Sequence, residues 1–262
     1  MNTLVFDIET VPDVELGRRL YDLDGFDDAT VAHVMAFKQR QVRQSDMLPP
    51  HQQRVVAISG VMRSSEGVRV FSLGDEQSAE RELVQRFFDG LERYTPTLVS
   101  WNGSGFDLPV LGYRALSHGL SAARYWEVGE RDRDFRYNSY LSRYHWRHVD
   151  LMDVLSGYGA SGRASLEHTA QLLRLPGKLG MSGADVWPTY LRGDLASIRN
   201  YCETDALNTY LIYLRFQLLR GELDAKQHVY ELQQVEAKLE QSDRPHLREF
   251  LEAWRASRNV AG

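Results

Sequence analysis

The most constraining feature of this sequence is Leu4-Val5-Phe6-Asp7-Ile8-Glu9, near its start. Leu4, Phe6 and Ile8 alternate with Val5, Asp7 and Glu9, a period of two that predicts a strand over residues 3 to 9. Side chains two apart on a strand point the same way, so Asp7 and Glu9 share a face. Val11-Pro12-Asp13 closes the strand, because proline cannot donate to a sheet ladder. Two carboxylates on one face repel each other and resist desolvation. A divalent cation removes that penalty, and Mg²⁺ or Mn²⁺ prefers such oxygen ligands together with substrate phosphate. For this spacing alone, a pair of solvated carboxylates at a strand end is the better explanation, so the rest of the chain must decide.

A chain of 262 residues, 43% hydrophobic, can bury one substantial core with room for an appendage. Its 31 basic and 36 acidic residues leave a net charge of -5, which excludes a protein-wide basic footprint. Any nucleic-acid binding must rely on a local patch. The single cysteine, Cys202, excludes an internal disulfide and a Cys-rich zinc site. Neither an 18-residue apolar stretch nor a signal peptide is present, so a soluble cytoplasmic protein with no membrane partner is expected.

Residues 13 to 48 are polar and read as a partly helical insertion beside the acidic face. Arg54 to Met62 and Val68 to Leu73 are apolar and β-branched around Ser64-Ser65-Glu66-Gly67, a hairpin signal. Leu83, Phe87, Leu91 and Tyr94 have helical spacing. Thr97 to Trp101 reads as a short buried strand, Asn102-Gly103-Ser104-Gly105 as a loop, and Asp107 to His118 as a helix closed by Gly119, with Asp107 a possible N-cap. This order suggests a mixed sheet with helices on its faces.

Between residues 124 and 148, arginines (Arg131, Arg133 and Arg136 among them) interleave with seven aromatics from Tyr125 to Trp146. Guanidinium groups can hold phosphates and aromatic faces can stack on unpaired bases. Core packing of the aromatics, with arginines paired to Asp132 and Asp134, explains the stretch about as well. His145 and His148, with no thiolate nearby, are expected to be surface histidines. Asp150 and Asp153 follow in a short apolar stretch, and Ser165 opens a helix to about Leu175.

Asp194 to about Arg220 is the strongest helical segment, with Asp194 its N-cap and an apolar stripe through Ile198, Cys202, Ala206 and Tyr210. Tyr201 and Asp205 lie four apart, one above the other. Aspartate is a poor helix former in mid-helix, so Asp205 asks for a functional reason. Glu222 to about Arg255 reads as polar helix interrupted near Pro245.

In order, Asp7 and Glu9, then Asn102-x3-Phe106-Asp107, then Tyr201-x3-Asp205 resemble the DEDD superfamily of 3′-5′ exonucleases in its tyrosine-bearing branch. The chain resembles in particular the proofreading exonuclease domain of family B DNA polymerases, which opens with the same Asp-Ile-Glu-Thr, and the stand-alone bacterial proteins related to it. The resemblance implies a ribonuclease H-like α/β fold, a mixed β-sheet flanked by α-helices. An exonuclease domain is expected over residues 1–220, with 221–262 a C-terminal helical extension. The chemistry it implies uses two divalent cations, Mg²⁺ or Mn²⁺, about 3.5–4 Å apart, which clamp an in-line displacement at phosphorus. By resemblance Asp7 bridges both ions, Glu9 and Asp205 complete one site, and Asp107 holds the second. Tyr201 orients the attacking water, and Thr10, Asn102 and Phe106 lie close to the terminal nucleotide. The implied partner is single-stranded nucleic acid, DNA ahead of RNA, although no 2′-hydroxyl reader stands out. No polymerase domain is expected within 262 residues, so editing would act in trans.

Two rival classes are weighed against this. A haloacid-dehalogenase-type phosphatase needs a second Asp where Glu9 stands and a lysine motif that is not evident. A catalytically silent nucleic-acid-binding module would be expected to have lost a ligand, yet all four carboxylates stand.

Overall fold

The computed structural model describes residues 2–259. Strands β1 (Thr3–Pro12), β2 (Gln53–Ser64), β3 (Gly67–Ser72), β4 (Thr97–Ser100) and β5 (His148–Asp150) form one sheet in the order β3-β2-β1-β4-β5. β1 is central. It runs antiparallel to β2 and parallel to β4, β2 and β3 make the expected hairpin, and β5 lies parallel to β4 at the edge. Helices α1 (Val14–Tyr21) and α2 (Asp28–Arg43) follow β1, and α3 (Glu80–Tyr94) and α4 (Asp107–Ser117) bracket β4. After β5 come α5 (Leu151–Leu155), α6 (Leu166–Leu172), α7 (Gly183–Leu191), the long α8 (Leu195–Leu219), α9 (Ala225–Glu240) and α10 (Pro245–Asn259). This is the mixed-sheet α/β architecture that the ribonuclease H-like expectation describes.

The alternation in β1 sorts the two layers. Leu4, Phe6 and Ile8 point to one face and share a core with Phe87 and Leu91 of α3 and Leu108 and Leu111 of α4. Val5 points the other way, into a core with Val61, Val99 and Val149 from the strands and Ala206, Leu207 and Tyr210 from α8. Asp7 and Glu9 are on that second face, so the acids look toward α8.

Two details of β1 open space around them. It pairs with β4 only from Thr3 to Val5, so Asp7 and Glu9 lie past the last β4 partner. The register with β2 slips between Glu9 (opposite Ala57) and Thr10 (opposite Val55), a bulge that leaves Val56 without a partner. Arg114 of α4 is buried between Asp13, just after β1, and Glu80 of α3, which fixes α4 against the end of β1.

α8 begins as read, with Asp194 accepting from the Ser197 N–H at 3.1 Å. Val235 and Leu239 of α9 and Leu247, Phe250 and Trp254 of α10 fill the same core as α8 and the strands. The helices after residue 220, expected as an extension, are therefore part of that core. Arg244 and His246 tie them to Glu203 of α8. α1 and α2 make a small core of their own around Val31 and Met35, against Trp187 of α7. Among the described residues, no helix is long and apolar enough to cross a membrane.

Candidate active site

Three elements converge on the α8 side of β1. β1 delivers Asp7 and Glu9. α8 delivers Tyr201 and Cys202, which pack with Ile198 against Val11 of β1, and Asp205 one turn on. α4 delivers Asp107 at its first position. The expectation that Asp107 caps this helix is corrected: Phe106 is the N-cap residue, and the Asp107 carboxylate, buried, feels its own N–H and that of Ile8, both of which favour its charged form.

The electrostatics are those of crowded, buried acids. Burial first, then the charges of Glu9, Asp107 and Asp205, hold the Asp7 carboxyl well above the ordinary carboxylate range. Burial raises Glu9 in the same way, followed by Asp205 and Asp107, while Lys178 opposes the shift. Burial lifts Asp107 to about 7 against the pull of the two backbone N–H groups. It lifts Asp205 to about 6 against the Tyr201 hydroxyl and Lys178. Asp205 keeps one carboxylate oxygen, Oδ1, buried with no hydrogen-bond partner. A buried acceptor left unpaired costs about 1–3 kcal/mol, so such an atom asks for a ligand. Four acids from three elements, one opposing cation and an unpaired oxygen fit divalent cations bound through carboxylate oxygens.

The buried Cys202 thiol lies 3.3 Å from the Asp7 carbonyl oxygen and 3.5 Å from Asp7 Oδ2, and one atom each from Asp7, Glu9 and Cys202 cluster within 4.8 Å. Burial pushes the thiol well up, followed by the charges of Asp7 and Glu9, so it stays protonated and donates.

The remaining expected residues divide. Asn102 and Phe106 sit on the partly buried loop that leads into Asp107, with Asn102 in the left-handed region at φ 65°. Thr10 donates its hydroxyl to Gln53 Oε1 at 3.0 Å, just past the bulge. Arg131, Arg133 and Arg136 are not brought to the acids. Arg131 and Arg133 line a hollow with Glu92, in the last turn of α3, and Arg124, which pairs with Asp132. That is the N-terminal end of β4, whereas Asn102 and Asp107 follow its C-terminal end. The aromatics around them belong largely to the core: Tyr125, Phe135 and Tyr140 are buried, and the Tyr140 hydroxyl donates to the Pro96 carbonyl at 2.7 Å. His148 is not a surface histidine either, being buried with Nε2 2.8 Å from Ser100 Oγ.

Lys178 was not singled out from the sequence, where Pro176-Gly177-Lys178 reads only as a helix stop. Asn208 of α8, fully buried, accepts from the Gly177 N–H at 3.1 Å and donates to the Gly177 carbonyl at 2.9 Å. Glu167 accepts from the Lys178 N–H at 2.7 Å. The loop is thereby docked so that the Lys178 charge reaches Glu9 and Asp205. A polar Asn one turn beyond Asp205, beside the apolar Ala206 and Leu207, was the available signal.

A family described as predicted 3′-5′ exonuclease related to the exonuclease domain of PolB matches residues 45–254. The match begins after Asp7 and Glu9. The DNA polymerase epsilon catalytic subunit of Dictyostelium discoideum is 30% identical over 154 residues, 56% of this chain and 6% of that protein. The DNA polymerase of Archaeoglobus fulgidus is 24% identical over 182 residues, 68% of this chain and 22% of that protein. The structure of the family B DNA polymerase from Pyrobaculum calidifontis aligns with a TM-score of 0.49 at 19% identity, over 84% of this chain and 24% of that one. The chain thus spans less than a quarter of the length of each of these polymerases.

Proposed function

Because the chain belongs to the family of predicted 3′-5′ exonucleases related to the exonuclease domain of PolB, we propose that it removes nucleotides from the 3′ end of a single strand by phosphodiester hydrolysis. Two divalent cations, Mg²⁺ or Mn²⁺, would be held by Asp7, Glu9, Asp107 and Asp205. The observation that carries this is the cluster of four acids with raised pKa values and an unpaired Asp205 oxygen. When bound, such ions lower the pKa of the attacking water and stabilise charge on the phosphoryl oxygens. DNA is the favoured strand because the polymerases named above are DNA polymerases.

The chain's own residues supply position and charge. Burial, then the carboxylates of Asp205 and Glu9, push the Tyr201 hydroxyl far above its ordinary pKa, so it stays protonated. It lies close enough to Asp205 to favour that carboxylate's charged form, and as a protonated hydroxyl it would orient water. Thr10, Asn102 and Phe106 would border the terminal nucleotide. Release of mononucleotides from 3′-labelled DNA and RNA strands, with and without Mg²⁺ or Mn²⁺, tests the proposal. Dependence on the ion supports it, and hydrolysis that persists in excess chelator overturns it.

Three milder variants probe the acids and their surroundings. Tyr201→Phe keeps the ring and should lower turnover by about 10-fold with metal titration unchanged, whereas Asp205→Asn should weaken metal binding as well. Wild-type turnover in Tyr201→Phe at every metal concentration would make Tyr201 a packing residue. Lys178→Met should shift the turnover-pH profile upward at low metal, because Lys178 lowers the pKa values of Glu9 and Asp205. An unshifted profile would remove Lys178 from the site.

A further inference from the structure

Asp150, at the end of β5, is 5% exposed, and no cation pairs with it among the described residues. Its Oδ1 accepts from the Asn102 N–H at 2.9 Å and from the Asp153 N–H at 3.2 Å. Its Oδ2 accepts from the Ser104 N–H alone, at 2.9 Å. The Asp153 bond caps the short α5. The other two have a different consequence, because they seize the loop between β4 and α4.

That loop has little freedom of its own. The Gly105 and Phe106 N–H groups both bond the Asn102 carbonyl, and the Leu108 N–H bonds the Gly103 carbonyl, so the turn runs directly into the first turn of α4. Gly103 lies so close to Ser100 Oγ that a side chain there would collide with it. Ser100 is held in turn by His148. Fixing the Asn102 and Ser104 N–H groups to β5 therefore sets where α4 begins, and α4 begins with Asp107.

We propose that Asp150 is a positioning residue that holds the Asn102–Ser104 loop, and with it Asp107, against Asp7. The inference rests on the nuclease reading for its effect on turnover, and on geometry alone for its effect on the loop. Asp150→Asn separates the two tasks of the side chain. Its one carbonyl oxygen can still cap α5, but its amide N–H₂ meets the Ser104 N–H donor to donor.

The test combines amide exchange across residues 101–107, Mn²⁺ calorimetry without substrate, and steady-state kinetics. Asp150→Asn should melt cooperatively and exchange the Ser104 amide faster than wild type, since the oxygen that remains still accepts from the Asn102 and Asp153 N–H groups. It should bind Mn²⁺ about 10–100-fold more weakly and lose turnover on the same scale, with KM for the oligonucleotide nearly unchanged. A folded Asp150→Asn protein with wild-type loop exchange, Mn²⁺ affinity and turnover overturns the proposal. Asp150→Ser, which caps a helix but is too short to span both loop donors, decides the matter in the same way if Asp150→Asn does not fold. If neither folds, wild-type Asn102 and Ser104 amides that exchange as freely as an unstructured loop overturn it, and protected amides support it. A wild type that releases no nucleotides, yet loses Mn²⁺ affinity and loop protection on the Asn substitution, contradicts the nuclease reading and leaves the positioning role standing.

Discussion

Asp7→Ala should abolish hydrolysis while leaving the metal-free protein at least as stable as wild type. Asp7 lies among the other three acids: Glu9, Asp107 and Asp205 all raise its pKa, after burial itself. In the absence of metal it is a source of repulsion, so truncating it relieves the folded state. The Cys202 thiol loses Asp7 Oδ2 but keeps the Asp7 carbonyl oxygen as an acceptor. Turnover, by contrast, should fall by roughly 10³-fold or more, the scale on which losing one member of a catalytic unit is felt. Mononucleotide release and thermal melts in chelator check the two halves. A variant that is inactive only because it is unfolded would contradict the repulsion argument.

The same repulsion predicts an uncommon pH dependence. In chelator, stability should fall as pH rises from 6.5 to 8.5, by on the order of 1–3 kcal/mol. The sign follows from proton counts. Asp107, near 7, still holds a proton in the folded chain at a pH where the unfolded chain has released it, and burial with mutual repulsion shifts Asp7 and Glu9 in the same direction. Where the folded state binds more protons, raising pH destabilises it. Below 6.5 the trend is blurred, because burial lowers His148 to about 4, and a histidine kept neutral in the fold contributes the opposite slope between those values. Saturating Mn²⁺ should remove the fall and add about 2.7 kcal/mol at 100 times Kd. Melting temperatures at the two pH values, with chelator and with Mn²⁺, provide the check. Metal-free melts that do not fall above pH 6.5 would mean that the acids are solvated and unstrained.

What was legible in the sequence follows from local periodicity. Asp7 and Glu9 share a face because strands repeat every two residues, and Tyr201 stacks on Asp205 because a helix turn takes nearly four. The Asp194 cap and the hairpin around Gly67 were equally local. What was missed depends on contacts distant in sequence. Lys178 reaches the acids only because Asn208 docks its loop, and Asp150 only because the three-residue β5 lies beside β4. The arginine-aromatic stretch has no period, so composition alone suggested a binding strip, whereas Tyr125, Phe135 and Tyr140 fill the core below it. The helices after residue 220 looked polar because their apolar residues form narrow stripes. Leu247, Phe250, Leu251 and Trp254, at steps of three and four, were nevertheless visible as one buried face.

The most direct measurement is a time course on a 5′-labelled single-stranded DNA, comparing wild type in Mn²⁺, wild type in excess chelator, and Asp7→Ala in Mn²⁺. A ladder that shortens one nucleotide at a time from the 3′ end only for wild type with Mn²⁺ is the predicted result. Shortening in chelator or by folded Asp7→Ala, or no shortening by wild type with either ion on DNA or RNA, would contradict it.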